Sequence, residues 1–226
     1  MDSREPAGSL LALDEITRRL RRDCPWDREQ DERSIVPHTV EEAYELADAA
    51  NSGDDAKMLD ELGDVLFQVY FLSLLLEERG QGDLAAVADH CRQKLIRRHP
   101  HVFGDAEAED AATVLRNWDQ IKRAEPGRGG DEVFHDVPEN LPSTLYARKL
   151  LRRAASGSEY EHPPAGDLLE RLREGLAAID PEAPDESRFN AIGKLLFDTV
   201  ALARELRVDP ELALRSSADT FRRDIE

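Results

Sequence analysis

Apolar residues recur at helical spacing along nearly the whole chain, and no stretch sustains the period-two alternation of a half-buried strand. That pattern restricts the fold to helices packed on helices. Leu10, Leu13, Ile16 and Leu20 form one stripe over residues 10–22, broken at Cys24-Pro25-Trp26-Asp27. Pro37 suits the first turn of a second helix, whose buried stripe is expected to be Val40, Ala43, Tyr44, Ala47 and Ala50. Asn51-Ser52-Gly53-Asp54 reads as a tight turn. A long third helix carries Leu59, Leu62, Leu66, Val69 and Leu76 and ends near Gly80-Gln81-Gly82. A fourth is expected over residues 84–98, stopped by His99-Pro100, and a short fifth over 111–123. The expectation is an all-α helical bundle.

At 226 residues the chain has room for one or two domains. Glu125-Pro126-Gly127-Arg128-Gly129-Gly130 has linker composition, so the expected boundaries are a first domain at 1–123, a linker at 124–140 and a second domain at 141–226. The second domain echoes the first: Leu62-Gly63-Asp64-Val65-Leu66-Phe67 aligns with Ile192-Gly193-Lys194-Leu195-Leu196-Phe197 at a constant offset of 130. Leu95-Ile96-Arg97-Arg98 has a similar counterpart in Phe221-Arg222-Arg223-Asp224, and a diverged duplication is expected.

Charge and composition exclude several classes. Lys and Arg number 30 against 48 Asp and Glu, a net charge of −18, which repels nucleic-acid backbones and anionic membranes. Stable nucleic-acid binding is therefore not expected. A small phosphorylated ligand held by a local basic cluster or a bridging metal remains compatible with that charge. The most apolar run, residues 65–76, is interrupted by Gln68 and Ser73 and is shorter than the roughly 20 residues of a bilayer span. Met1-Asp2-Ser3-Arg4-Glu5-Pro6 lacks the pattern of a signal peptide, and Cys24 and Cys91 make no disulfide framework. A cytoplasmic location is expected.

The most informative cluster is acidic. Glu41, Glu42 and Glu45 fall in the second helix, Glu61 and Asp64 in the third, at spacings that place side chains on one helix face. With the turn centred on Gly53, antiparallel partners have numbers summing to about 106, which pairs Glu45 with Glu61 and Glu42 with Asp64. Four carboxylates meeting at one level destabilise one another unless a cation sits among them. Mg2+ or Mn2+ suits an all-oxygen set, and the lack of His and Cys argues against structural zinc. The competing reading is a solvated acidic face. A second cluster is basic: Lys94, Arg97 and Arg98 share a face of the fourth helix, and Trp118 and Lys122 stand four residues apart downstream. Arg and Lys suit phosphate oxygens and an aromatic suits a nucleotide base. The competing reading is surface ion pairing around a core tryptophan.

Taken together, Cys24-Pro25-Trp26-Asp27, Glu41-Glu42-Ala43-Tyr44-Glu45, Glu61-Leu62-Gly63-Asp64 and the run from Lys94 to Asp105 resemble the MazG family of nucleoside triphosphate pyrophosphohydrolases, within the all-α NTP pyrophosphatase superfamily. The resemblance covers about residues 10–123. It implies a helical bundle of MazG-like type in two tandem repeats, and hydrolysis of an NTP or dNTP to the monophosphate and pyrophosphate. It implies Mg2+ ligands at Glu42, Glu45, Glu61 and Asp64, with Glu41 orienting or deprotonating the attacking water. Nucleotide contacts are implied at Lys94, Arg98, Trp118 and Lys122, and a homodimer is expected.

Two departures stand out. Where the family has QTHxSL, this chain has Gln30-Asp31-Glu32-Arg33-Ser34-Ile35, so nucleotide preference is open. In the second half, Ala191 and Lys194 stand where the ExxD carboxylates belong, and no intact EExxE precedes them. Residues 141–226 are therefore expected to be catalytically silent. The alternatives are a narrower pyrophosphohydrolase acting on dUTP/dCTP or phosphoribosyl-ATP, or a non-catalytic acidic helical scaffold. Nucleotide-pool cleaning is the expected role.

Overall fold

A computed structural model describes residues 5–125, 133–134, 137–157 and 160–226; among them there are eleven helices and no strand. The expected all-α class is observed. The helices group into two compact units, one running to Arg97 and the other Arg98–Glu226. That division falls at the end of the fourth long helix, whereas the sequence places its linker at 124–140. Most of the composition-defined linker lies outside the described residues.

In the first unit, α1 (Pro6–Asp23) starts on a proline whose missing N–H is one of the donors a helix start leaves unbonded anyway. Pro25 likewise opens α2 (Pro25–Glu29). The next helix, α3 (Glu32–Ser52), begins a turn and a half before the expected start, and Pro37 lies inside it. The cause is a capping box: the Asp31 side chain accepts from Ser34 N at 2.9 Å, and Ser34 Oγ accepts from Asp31 N at 2.9 Å. Two end donors are thereby satisfied upstream, and Pro37 removes only the donor that would have met the Arg33 carbonyl. Gly53, at φ 71°, then terminates α3 in the left-handed region that a side chain disfavours. Asp54 caps α4 (Asp55–Glu78), accepting from Ala56 N and Lys57 N at 3.0 Å each.

Helices α3 and α4 form the expected antiparallel hairpin, and its core keeps the expected register. Ile35 packs with Phe71 and Leu75, and the numbers of the first pair again sum to 106. Across the other side of α4, α1 is clamped by Arg18 to Glu77 (2.7 and 3.0 Å) and Arg21 to Glu78 (2.8 Å, both oxygens). The predicted buried stripes need correction. Val40, Leu59, Leu62 and Val69 are exposed, Leu59 at 75%. The buried face of α4 is instead Glu61, Gln68, Tyr70, Phe71, Ser73, Leu74 and Leu75. Similarly Leu10, Ile16 and Leu20 of α1 are open, and Thr17 is the buried residue. The hydrophobic periodicity of this unit therefore marks faces that it does not cover by itself.

Helix α5 (Leu84–Arg98) ends as expected before Pro100, which opens the short α6 (Pro100–Phe103). The second unit continues with α7 (Ala111–Ala124), α8 (Ser143–Gly157), α9 (Ala165–Ala177), α10 (Asp185–Glu205) and α11 (Pro210–Ile225). Helix α10 packs against α9, α8 and α11 around Leu151, Leu168, Val200 and Ala201. At Gly175 a Cβ would lie 2.7 Å from Leu195 Cδ2, so α9 and α10 meet there closely.

Candidate active site

The hairpin register brings acids from both helices to one place. Carboxylate oxygens of Glu42, Glu45 and Glu61 lie within 4.8 Å of one another. Glu61, on the packed face of α4, is only 5% exposed; Glu42 is half-buried and Glu45 exposed. Asp64, one turn beyond Glu61 and exposed, contributes its charge to the same group, since it helps raise the Glu42 pKa. Burial is the first cause of that rise, followed by Asp64, Glu45, Glu61 and Glu41. Glu61 is also raised, by burial first and then by Glu45, with Lys57 opposing. In both shifts burial comes first and repulsion among the assembled carboxylates adds to it. Glu41 stands outside the close triplet: it is exposed, and its Oε2 lies 3.7 Å from His38 Nδ1.

The donor set fits a hard divalent cation. Oxygens bound to Mg2+ at about 2.1 Å stand about 3 Å apart when adjacent and about 4 Å when opposite, within a rotamer adjustment of the observed spacing. Three or four carboxylates would supply the oxygen ligands, and the charge of such an ion would offset the repulsion that helps raise Glu42 and Glu61.

The basic positions divide between the units. Lys94 and Arg97 lie in the part of α5 that belongs to the first unit, half-buried and exposed respectively. Arg98, Trp118 and Lys122 come together in the second. The Arg98 guanidinium is 5.1 Å from the Trp118 ring centroid and Lys122 Nζ is 5.8 Å from it, both at cation–π range. Arg98 is also held by Glu125 in a buried bidentate pair, Nε to Oε1 at 2.9 Å. Sequence spacing linked Trp118 to Lys122, but it missed Glu125, which is distant from Arg98 in the chain. It missed Arg152 too, whose guanidinium lies 5.6 Å from the same ring. No local pattern connects residues that far apart; only the tertiary fold does.

Comparison with known proteins decides the family. A model described as the MazG nucleotide pyrophosphohydrolase domain matches residues 30–103, which contain both acidic motifs. A nucleoside triphosphate pyrophosphohydrolase of Escherichia coli K12 is 36% identical over 220 residues, covering 95% of this chain and 83% of the relative. This chain belongs to the MazG nucleotide pyrophosphohydrolase family. A protein of Thermotoga maritima named nucleoside triphosphate pyrophosphohydrolase/pyrophosphatase MazG is 37% identical over 201 residues, covering 88% of this chain and 76% of its own length. Both relatives span the second unit as well as the first, so this MazG chain shares more than the matched domain. The identification also gives the carboxylate hairpin its context: residues 30–103 run from the start of α3 through α6, the segment that builds it.

Proposed function

We propose that this MazG chain hydrolyses nucleoside triphosphates between the α- and β-phosphorus, releasing the monophosphate and pyrophosphate. The reading depends on Mg2+ or Mn2+ held by Glu42, Glu45, Glu61 and Asp64. The observation that carries it is the convergence of three carboxylates from two helices within 4.8 Å, with two of them raised in pKa. The named activity of relatives at 36–37% identity supports the choice of substrate. A divalent ion bound there would screen the triphosphate and acidify the attacking water. The chain's own residues do the rest. Glu42, Glu45, Glu61 and Asp64 present the ligand oxygens, with Glu61 fixed by its burial in α4. Glu41, outside the close triplet, orients the water or takes its proton. Lys94 and Arg97, which lie in the same unit as the carboxylates, neutralise charge developing on the departing pyrophosphate.

The second repeat contributes no chemistry in this reading. Its support is that α10 begins at Asp185, at the same offset of 130 from the start of α4 that relates the two sequence echoes. Helix α10 packs against α9 and α8 as α4 packs against α3 and α1. On that alignment Glu61 and Asp64 become Ala191 and Lys194, and an ammonium replaces a metal-binding carboxylate. The uncovered apolar residues of α3 and α4 support a homodimer. A cytoplasmic role in clearing the nucleotide pool suits such an activity; no helix among the described residues is long and apolar enough to cross a membrane.

The test is a panel of NTPs and dNTPs with Mg2+, read as pyrophosphate and orthophosphate separately. Pyrophosphate release from several nucleotides is expected, unchanged in Lys194→Ala. Release from a single pyrimidine deoxynucleotide would indicate the narrow enzyme, and no release from any nucleotide would indicate a scaffold.

A further inference from the structure

Helix α10 carries an apolar stripe that its own unit leaves uncovered. Phe189 is 79% exposed and Ile192 46%, and Leu196 is open as well. With Gly193 and the rim residues Asp185 and Arg188 they line a shallow groove of about 570 Å3. Asp185 and Arg188 form an ion pair with each other. Between Phe189 and Leu196 the one charged residue is Lys194, which the helical period turns away from the stripe.

The stripe matches α4 at the offset of 130. Leu59 and Leu62, the counterparts of Phe189 and Ile192, are 75% and 45% exposed. A Cβ added at Gly63 or at its counterpart Gly193 would meet nothing within 4 Å. Further along, the same face of each helix turns inward, at Tyr70 in α4 and at Val200 in α10. The carboxylates do not recur with the stripe, since Ala191 and Lys194 stand at the positions of Glu61 and Asp64. An apolar face present where the acids are absent serves something other than the chemistry.

Area decides what can cover it. On each helix the stripe leaves on the order of 400 Å2 of apolar surface open. Paired with its copy, either stripe alone would bury about 800 Å2, below the roughly 1,200 Å2 at which stable interfaces begin, whereas the two together would pass it. The chain links the two contacts, so engaging one raises the effective concentration for the other. A surface that meets its own copy needs matching shape and no like charges face to face. Antiparallel α10 helices crossing between Ile192 and Gly193 meet both conditions. Phe189 of one copy then falls opposite Leu196 of the other, and the bare glycine lets the backbones approach.

We propose that the α10 stripe docks on the α10 stripe of a second copy of this chain, as a second contact of the homodimer. The inference rests on the homodimer reading drawn from α3 and α4, and it gives the C-terminal repeat a task of its own, holding two copies together. Two chains of net charge −18 repel one another at long range, so this dimer tightens as salt screens them. A basic partner seated on the stripe would show the reverse dependence.

The experiment is sedimentation equilibrium of the full chain over a range of salt, comparing Phe189→Glu with Leu59→Glu. Phe189 stands mostly in solvent in the single chain, so the fold should tolerate the charge, and unchanged helical content checks this. A wild-type dimer strengthened by salt is expected. Its dissociation constant should rise at least about tenfold in Phe189→Glu, because the contact would bury an unpaired charge, and further in the double variant. Gly193→Cys in a chain also carrying Cys24→Ser and Cys91→Ser gives a second measurement, since a short bismaleimide should link two copies through residue 193. A shift in Phe189→Glu with none in Leu59→Glu would keep the α10 contact and remove the α3–α4 one. A shift in Leu59→Glu alone overturns the proposal and leaves the other contact standing. A monomeric wild type, or a chain that dimerises without the residue 193 cross-link, overturns it as well.

Discussion

At the scale of single residues, Glu61 concentrates the account. It is charged, nearly enclosed by its own hairpin and surrounded by further acids, so its ionised form is disfavoured, as is that of Glu42. A carboxylate whose pKa is raised on folding holds its proton more tightly in the folded chain than in the unfolded one. The metal-free protein therefore gains stability as pH falls through the interval from the raised values toward the ordinary 4.5, and loses it as pH rises through that interval. Glu61→Gln keeps the shape and removes the charge. The variant is expected to melt higher than the metal-free wild type at neutral pH, with a flatter pH dependence, while its turnover is abolished. Thermal melts across pH with a chelator present check this. A variant that melts lower at neutral pH would mean that the carboxylates do not repel one another.

At the scale of elements, the start of α3 is set within the segment where the family has QTHxSL: Asp31 stands in place of the threonine and Ser34 keeps the serine. Asp31 and Ser34 bond reciprocally across the first turn and carry the helix start ahead of Pro37. Asp31→Ala removes that cap and is expected to lower stability by about 1 kcal/mol, measured by denaturant unfolding, without changing the spacing of Glu42 and Glu45. The limits of sequence reading are visible in the same element. Helix existence, the Gly53 turn and the register of the acids were legible, because each depends on local chemistry or on counting from one turn. The start of α3 was misplaced because proline is a stronger signal than a capping box spread over four residues. The buried stripes were misread for a different reason: periodicity reports that a face is apolar, not what covers it. Leu59 and Leu62 are as apolar as a core demands and still lie open in the single chain. The basic cluster was legible along α5 and α7, but the Arg98–Glu125 pair and the approach of Arg152 to Trp118 join residues that share no local pattern.

At the scale of the whole molecule, the open apolar faces of α3 and α4 bear on assembly. Val36, Val40, Leu59, Leu62 and Val69 are all exposed, in a chain whose charged residues make up 35% of the sequence. Exposed apolar side chains on two neighbouring helices are what the proposed homodimer would cover. Leu59→Glu places a charge on a side chain that is 75% exposed in the single chain, so the fold should tolerate it. Analytical ultracentrifugation is expected to find the wild type as a dimer and the variant shifted toward monomer, with unchanged helical content. A monomeric wild type would leave those faces without the proposed partner.

The claim on which the enzymatic account rests is that Glu42, Glu45, Glu61 and Asp64 act together on one divalent ion. Titration of the chain with Mn2+, followed by electron paramagnetic resonance of the free ion, tests it without reference to any substrate. Saturable binding by the wild type is predicted, weakened at least about tenfold in Glu61→Gln through loss of one charged ligand. Equal Mn2+ binding by the two proteins would contradict it.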